Sequence, residues 1–289
     1  MAEEQKHVPN AHQALLLSML KDFDRVCREY QIPYTLFSGT ALGAVRHRGF
    51  IPWDDDIDVM MLRRDYERFF FEAAGAFDPE KYYVQQEYTD HWPMYFSKLR
   101  RNGTTCIEKY HVRDEKMHQG VYIDIFPCDN LSDNPLVCRL QFAASKVVIA
   151  KSLYARGYET DSKLKKCFLQ ICRPLPRKPF WRLCVRRQDT DSAYVHSFFG
   201  CGTKFEKNIF PRSWFTERVP MPFDDGMFPV SAHYDALLTK LYGDYMTLPK
   251  PEQRKSKEHA AILDLEHPYT EHLEEQRTMK IDTYTRSIR

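Results

Sequence analysis

The stretch Ile51-Pro52-Trp53-Asp54-Asp55-Asp56-Ile57-Asp58-Val59-Met60-Met61 sets four carboxylates within five residues directly against an apolar run. Carboxylates held side by side repel one another strongly wherever the local dielectric is low, so a fold that accepts this stretch must supply either open solvent or a cation. Pro52 biases Ile51 towards extended backbone. Ile57, Val59 and Met61 then alternate as in a half-buried strand. On a two-residue period Asp56 and Asp58 share one face; Asp54 joins them if the extended chain begins that early, and Asp55 points the other way. Oxygen ligands without a neighbouring Cys or His suit Mg²⁺ or Mn²⁺ better than zinc. The plainer alternative is a solvated acidic turn leading into a strand.

The flanking sequence argues against the plain alternative. Upstream, Tyr34-Thr35-Leu36-Phe37 reads as a short strand, and Ser38-Gly39-Thr40 opens a helix through Ala41-Leu42-Gly43-Ala44-Val45. Such a small turn leaves backbone N–H groups at a helix N-terminus, an arrangement that suits phosphate. Downstream, Gly120-Val121-Tyr122-Ile123-Asp124-Ile125-Phe126-Pro127 is an apolar strand with one carboxylate in its middle. A charge placed there has to be paired or functional.

These three pieces together resemble the polymerase-beta type of nucleotidyltransferase fold: a Gly-Ser or Gly-Thr turn opening a helix (Gly39-Thr40), acid-apolar-acid on one strand (Asp56-Ile57-Asp58), and a third acid on a neighbouring strand (Asp124). More narrowly, Ser38-Gly39-Thr40-Ala41-Leu42-Gly43-Ala44-Val45-Arg46-His47 followed by Ile51-Pro52-Trp53-Asp54-Asp55-Asp56-Ile57-Asp58 resembles the LicD family. Its bacterial members transfer phosphocholine from CDP-choline to cell-surface glycans such as lipopolysaccharide or teichoic acid, and the related fukutin proteins transfer ribitol phosphate from CDP-ribitol. The likeness runs from about Leu15 to about His259. The family also carries a C-terminal Tyr-Gly-Asp-Tyr motif, usually followed by Pro, a basic residue and a His. Tyr242-Gly243-Asp244-Tyr245 matches that motif, and Pro251, Arg254 and His259 fill the later places.

The resemblance implies a set of roles. Asp56, Asp58 and Asp124 are the expected catalytic acids, and Asp54, Asp56, Asp58 and Asp124 the expected ligands of Mg²⁺ or Mn²⁺. Asp124 either binds metal or accepts the proton of an acceptor hydroxyl. Ser38, Gly39, Thr40, Arg46, Lys98, Arg100, Arg254 and His259 are expected around the donor phosphates. The implied partners are a CDP-alcohol, with CDP-choline first, and a glycan or lipid-linked glycan acceptor. Two other readings use the same residues: transfer of a nucleoside monophosphate from an NTP, and a non-catalytic binding protein on the same fold.

Composition narrows the choice modestly. With 289 residues and 43% hydrophobic content the chain can bury a full core. A net charge of +2 argues against a protein that binds nucleic acid by bulk electrostatics. The eight cysteines include no C-x-x-C pair, so reduced thiols in a cytoplasmic protein are expected rather than disulfides. No N-terminal apolar run precedes a cleavage pattern, and export or membrane spanning is not expected.

The expected class is α/β (α+β). Residues 11–130 form a catalytic core with a mixed sheet, 131–200 a helical insertion and 201–270 a C-terminal segment packed on the core; 1–10 and 271–289 are tails. Ala11 to Tyr30 is an amphipathic helix, and Arg63 to Phe71 a helix with an aromatic inner face. Strands are predicted at Tyr82–Gln86, Met94–Arg100 and Thr104–Glu108, the last two joined as a hairpin through Asn102-Gly103. Lys98 and Arg100 share one face of their strand and Leu99 the other. Helices are predicted over Leu136–Tyr154, Lys163–Ile171 and Phe180–Ser197. Short strands follow around Val219–Met221 and Met227–Val230, with Asp224-Asp225-Gly226 as their turn, and Tyr234–Tyr242 is a last helix capped by Gly243. Arg173, Arg177, Lys178, Arg182, Arg186 and Arg187 cluster with Phe180, Trp181, Leu183 and Val185. This is either a basic face in water over a packed apolar face, or a peripheral contact with the inner face of an anionic membrane.

Overall fold

The computed structural model describes residues 7–89, 92–109, 117–155, 158, 160–185, 192–199, 204–254 and 259–278. In chain order, α1 (Ala11–Glu29) leads to β1 (Thr35–Leu36), α2 (Ser38–His47), β2 (Asp58–Leu62) and α3 (Arg63–Arg68). There follow β3 (Tyr82–Gln85), β4 (Ser97–Arg101), β5 (Thr105–Glu108) and the long β6 (Tyr122–Asn130). Three helices come next, α4 (Pro135–Ala155), α5 (Lys163–Cys172) and α6 (Arg177–Cys184). The remainder comprises β7 (Tyr194–His196), β8 (Ile209–Pro211), α7 (Ser213–Thr216), β9 (Arg218–Phe223), β10 (Gly226–Ser231), α8 (Tyr234–Tyr242), α9 (Pro251–Arg254), β11 (Ala260–Asp264) and α10 (Leu273–Thr278).

The central sheet runs β1-β2-β6-β4-β3, with β7 and β8 continuing from the far end of β6. The β2·β6 pair is parallel, while β1·β2, β4·β6 and β3·β4 are antiparallel, so the sheet is mixed and the class is α/β. Leu16, Met19, Leu20, Phe23, Val26 and Cys27 recur at helical spacing and close the core under α1. Asn10 and Gln13 cap that helix reciprocally, and the Gln13 amide then donates to the carbonyl of Asp54 at 2.9 Å. The first turn of α1 thereby grips the acidic loop. Among the described residues, no helix is long and apolar enough to cross a membrane, and the cysteines there are free thiols.

Several expectations are corrected. The turn at Asn102-Gly103 forms, with Gly103 at φ 72°, yet β4 and β5 do not pair across it. The longer, more apolar β6 takes the edge of β4, and β5 turns away to pair with β11, a strand absent from the sequence reading. The helix expected over Phe180–Ser197 ends at Cys184, and Tyr194–His196 instead adds a strand to β6 and β8. In the helix after β2, Tyr66 and Phe69 face inward, but a π-helical turn over Phe69–Ala73 leaves Phe71 92% exposed. Residues 271–278, expected within a tail, include α10, whose Gln276 exchanges amide hydrogen bonds with Gln119 at 2.9 and 3.0 Å. Arg186, Arg187, Lys255, Lys257 and Cys201 lie outside the described residues.

Candidate active site

Three adjacent strands bring charged residues into one row. In the parallel pair β2·β6, Asp58 lies directly opposite Asp124, and in the antiparallel pair β4·β6, Lys98 lies directly opposite Asp124 on the other side. The Lys98 ammonium is 2.7 Å from Asp124 Oδ1 and 3.8 Å from Glu108 Oε1, and it sits 3.1 Å from the centroid of the Tyr122 ring. The alternation read from the sequence holds here: Leu99 enters the core while Lys98 and Arg100 share the opposite face.

The electrostatics of this row are unbalanced. Burial, followed by the charges of Asp56, Asp124 and Asp54, pushes the Asp58 carboxyl well above the ordinary carboxylate range, with Lys98 opposing. Burial also raises Asp124, to about 6, although Lys98 works against it. Lys98 is itself lowered by burial in spite of its anionic neighbours. One buried ammonium therefore serves Asp58, Asp124 and Glu108 together. Asp56, Asp58 and Asp124 are hard oxygen donors without a thiolate, a chemistry that fits Mg²⁺ or Mn²⁺, although among the described residues the three ligand atoms that converge within 4.8 Å are those of Asp55, Asp56 and His259.

The acidic loop differs from the strand expected for it. β2 begins only at Asp58, so Asp54, Asp55 and Asp56 precede the ladder and do not alternate along it. Asp55 faces the C-terminal segment: its carboxylate accepts the His259 backbone N–H at 2.8 Å and lies 2.6 Å from His259 Nδ1. Burial disfavours the charged imidazole, but the bond to Asp55 and the charges of Asp56 and Asp55 outweigh it and raise His259 to about 9. Among the described residues Asp55, Asp56 and His259 bring ligand atoms within 4.8 Å of one another. A protonated imidazole makes that trio an ion pair in this geometry.

Around α2 the expected phosphate residues have definite partners. Thr40 Oγ1 accepts the Asp58 backbone N–H at 2.8 Å, so its visible task is to hold the start of β2. A Cβ at Gly39 would fall 2.6 Å from Asp54 Oδ2, so a side chain there would push the Asp54 carboxylate aside. The turn expected to face phosphate thus has an acid packed against it, which the helix dipole favours. Ser38, at φ 49°, places its hydroxyl 2.8 Å from the Tyr242 hydroxyl. Arg46 donates to the Tyr245 carbonyl at 2.5 Å, and Arg254 donates to the Pro249 carbonyl at 2.8 Å while stacking 4.7 Å from the Trp53 ring. Arg46 lies in the field of Asp54, Tyr242 and Arg254, which joins the C-terminal motif to the acidic loop. Arg100 is fully buried and donates to Gln85 at 2.8 Å and to the Gly120 carbonyl at 2.9 Å, an internal brace for β4.

Glu108 and Tyr122 were not anticipated as site residues. Tyr122 carried the signal in retrospect, two residues from Asp124 on the same face of β6. Glu108 ends an ordinary strand, and only its pairing with β11 brings it to Lys98.

A model of the LicD/FKTN/FKRP nucleotidyltransferase domain matches residues 31–187, more than half of the sequence. The chain belongs to the LicD/FKTN/FKRP family. The matched region contains α2, the acidic loop, Lys98 and Asp124, while the C-terminal motif and His259 lie beyond it. The lipopolysaccharide cholinephosphotransferase LicD of Haemophilus influenzae is 27% identical over 263 residues, covering 84% of this chain and 93% of that protein. An uncharacterized protein of Rickettsia prowazekii is 29% identical over 119 residues, or 41% of each chain. One from Rickettsia typhi is 44% identical over 50 residues, covering 17% of this chain and 16% of its own.

Proposed function

We propose that this LicD-family chain is a Mg²⁺-dependent transferase that moves phosphocholine from CDP-choline to a hydroxyl of a cell-surface glycan or its lipid-linked precursor, releasing CMP. The observation that carries the reading is the row Asp58, Asp124 and Lys98 across three strands, with Asp56 beside it. Its support for choline comes from the cholinephosphotransferase, whose likeness extends over 93% of its own length.

Phosphoryl transfer needs positioning and charge compensation more than covalent help from the protein. A Mg²⁺ ion held by Asp56, Asp58 and Asp124 would neutralise the non-bridging oxygens of the transferred phosphate. Asp124 stands between Asp58 and Lys98, where it would either complete the metal's ligands or take the acceptor hydroxyl's proton. Lys98 offsets the negative charge of the row, and Thr40 fixes the backbone from which Asp58 projects. Ser38, Arg46 and Arg254, beside Trp53 and Tyr242, form the rim suited to the donor's phosphates.

The test is to incubate the protein with Mg²⁺, a glycan acceptor and either CDP-choline, CDP-ribitol or an NTP, and to measure CMP and pyrophosphate. CMP from CDP-choline is expected. CMP from CDP-ribitol alone would change the transferred group, and pyrophosphate from an NTP would replace the reading with nucleotidyl transfer.

A further inference from the structure

The ten-residue helix α5 packs one side on α4, where Leu169 and Cys172 meet Ala150, Val147 and Leu153. Its other side is apolar as well. Leu164, Phe168 and Ile171 are 85%, 44% and 61% exposed, and Cys167 beside them is exposed too. At helical spacing these four fall within an arc of about 100°, with Lys163 on one border and the buried Cys172, then Lys165, on the other. The inner face already satisfies the core, so the outer stripe has no packing role within the described residues.

Charge is distributed just as unevenly. From Lys163 to Val185 the chain has seven Lys or Arg residues and no Asp or Glu, although the whole protein carries a net charge of only +2. Lys163, Lys165, Lys166, Arg173, Lys178 and Arg182 are exposed. Beside α5, a cleft of about 500 Å³ is lined by Lys151, Arg173, Arg177 and Lys178 and has no carboxylate in its wall. The apolar residues of α6 turn inward, the packed one of the two alternatives left open by the sequence: Trp181 packs 5.1 Å from Tyr88 and 5.7 Å from Phe199, and Val185 is buried. The surface element is therefore α5, not α6.

We propose that α5 is an interfacial helix that seats the protein on an anionic lipid bilayer. An exposed apolar stripe on a short helix too small to span, with the exposed Lys163, Lys165 and Lys166 on the same helix, matches the geometry of helices that lie in the headgroup plane. The cationic surroundings select an anionic lipid surface over an apolar protein partner, and the basic cleft would receive a headgroup phosphate next to the stripe.

The experiment is co-sedimentation of the full chain with vesicles of phosphatidylcholine alone or mixed with phosphatidylglycerol, at low and high salt. Binding to the mixed vesicles only, weakened by salt, is expected. The triple variants Leu164→Ser/Phe168→Ser/Ile171→Ser and Lys163→Glu/Lys165→Glu/Lys166→Glu should each lower it, the second by about a hundredfold or more. A polarity-sensitive fluorophore on Cys167, in a Cys201→Ser background, should shift to the blue with mixed vesicles and stay unchanged with neutral ones. Equal sedimentation with both vesicle types, or variants that bind as the parent does, would overturn the proposal. A dimer in light scattering that the Leu164→Ser/Phe168→Ser/Ile171→Ser variant dissociates would also overturn it, by assigning the stripe to a second copy.

Discussion

Thr40 holds Asp58 by its backbone: the threonine hydroxyl oxygen accepts the Asp58 N–H at 2.8 Å in a fully buried setting. This bond fixes the point where the coil of acids becomes a strand. Thr40→Val keeps the shape but strands a buried N–H, which costs about 1–3 kcal/mol. Thermal unfolding should show that loss, with turnover falling alongside it, and Thr40→Ser should restore both. If Thr40→Val unfolds and turns over like the parent, the bond has no positioning role.

Asp58→Asn should separate stability from activity. The buried, repelled carboxylate of Asp58 is held above its ordinary range, so its charged form costs folding energy at neutral pH, and a neutral amide of similar size removes that cost. In the absence of divalent metal the variant should unfold at a higher temperature than the parent, each ~1 kcal/mol appearing as about 2–4 °C. Added Mg²⁺ should raise the parent's midpoint and leave the variant's unchanged. CMP release should fall about a thousandfold or more for Asp58→Asn and for Asp56→Asn. A variant that retains near-parental release would remove these aspartates from the metal site.

Lys98→Met should be costly for the opposite reason. It deletes the ammonium 2.7 Å from Asp124 and leaves Asp58, Asp124 and Glu108 without their shared buried cation. Loss of one partner from such a pair destabilises by about 3–5 kcal/mol, because a charge is left buried and uncompensated. Adding Asp124→Asn should return part of that stability, and a double-mutant cycle by denaturant unfolding measures the coupling. Strict additivity would mean that Lys98 and Asp124 do not depend on each other.

What was legible in the sequence followed from local rules. Asp124 stood out as one carboxylate in an apolar strand, Asp58 as an acid on another, although that strand was expected to include Asp56 as well, and Lys98 and Arg100 shared a face through simple alternation. The illegible parts are long-range. Asp55 meets His259 across 204 residues, and Glu108 reaches Lys98 only because β5 chose β11 as its partner. The Asn102-Gly103 turn shows why: its local chemistry was read correctly, but the exchange of strand partners was settled by β6, whose apolar length no turn signal reports. The packed apolar face of α6 was one of two readings open in the sequence, but the partners of Trp181, Tyr88 and Phe199, come from distant segments and were hidden for the same reason.

The last prediction concerns acid sensitivity. His196 is fully buried, and both ring nitrogens are engaged: Nε2–H donates to the Cys184 carbonyl at 3.1 Å, and Nδ1 accepts the Phe198 N–H at 3.4 Å. That arrangement requires a neutral ring, and burial lowers its pKa to about 4, against the pull of Asp129. His118 is similar, with Nδ1 accepting the Gly120 N–H at 3.1 Å and burial, followed by Arg100, lowering it to about 3. In the unfolded chain both titrate near ~6.5. Between that value and the folded pKa the folded state binds fewer protons, so stability is complete above about 6.5 and declines as the pH falls, by up to ~1.4 kcal/mol per pH unit for each ring. His259, raised to about 9, works in the opposite sense: it stays protonated in the folded state while its unfolded form titrates near ~6.5, so its contribution to stability grows as the pH falls from 7. The measurable quantity is the difference between parent and variant: between pH 7 and pH 5 the denaturation midpoint of His196→Gln should fall less, or rise more, than the parent's by about one proton's worth, even if its stability at pH 7 is lower. An unchanged slope in that variant would mean that His196 is not held neutral by its two hydrogen bonds.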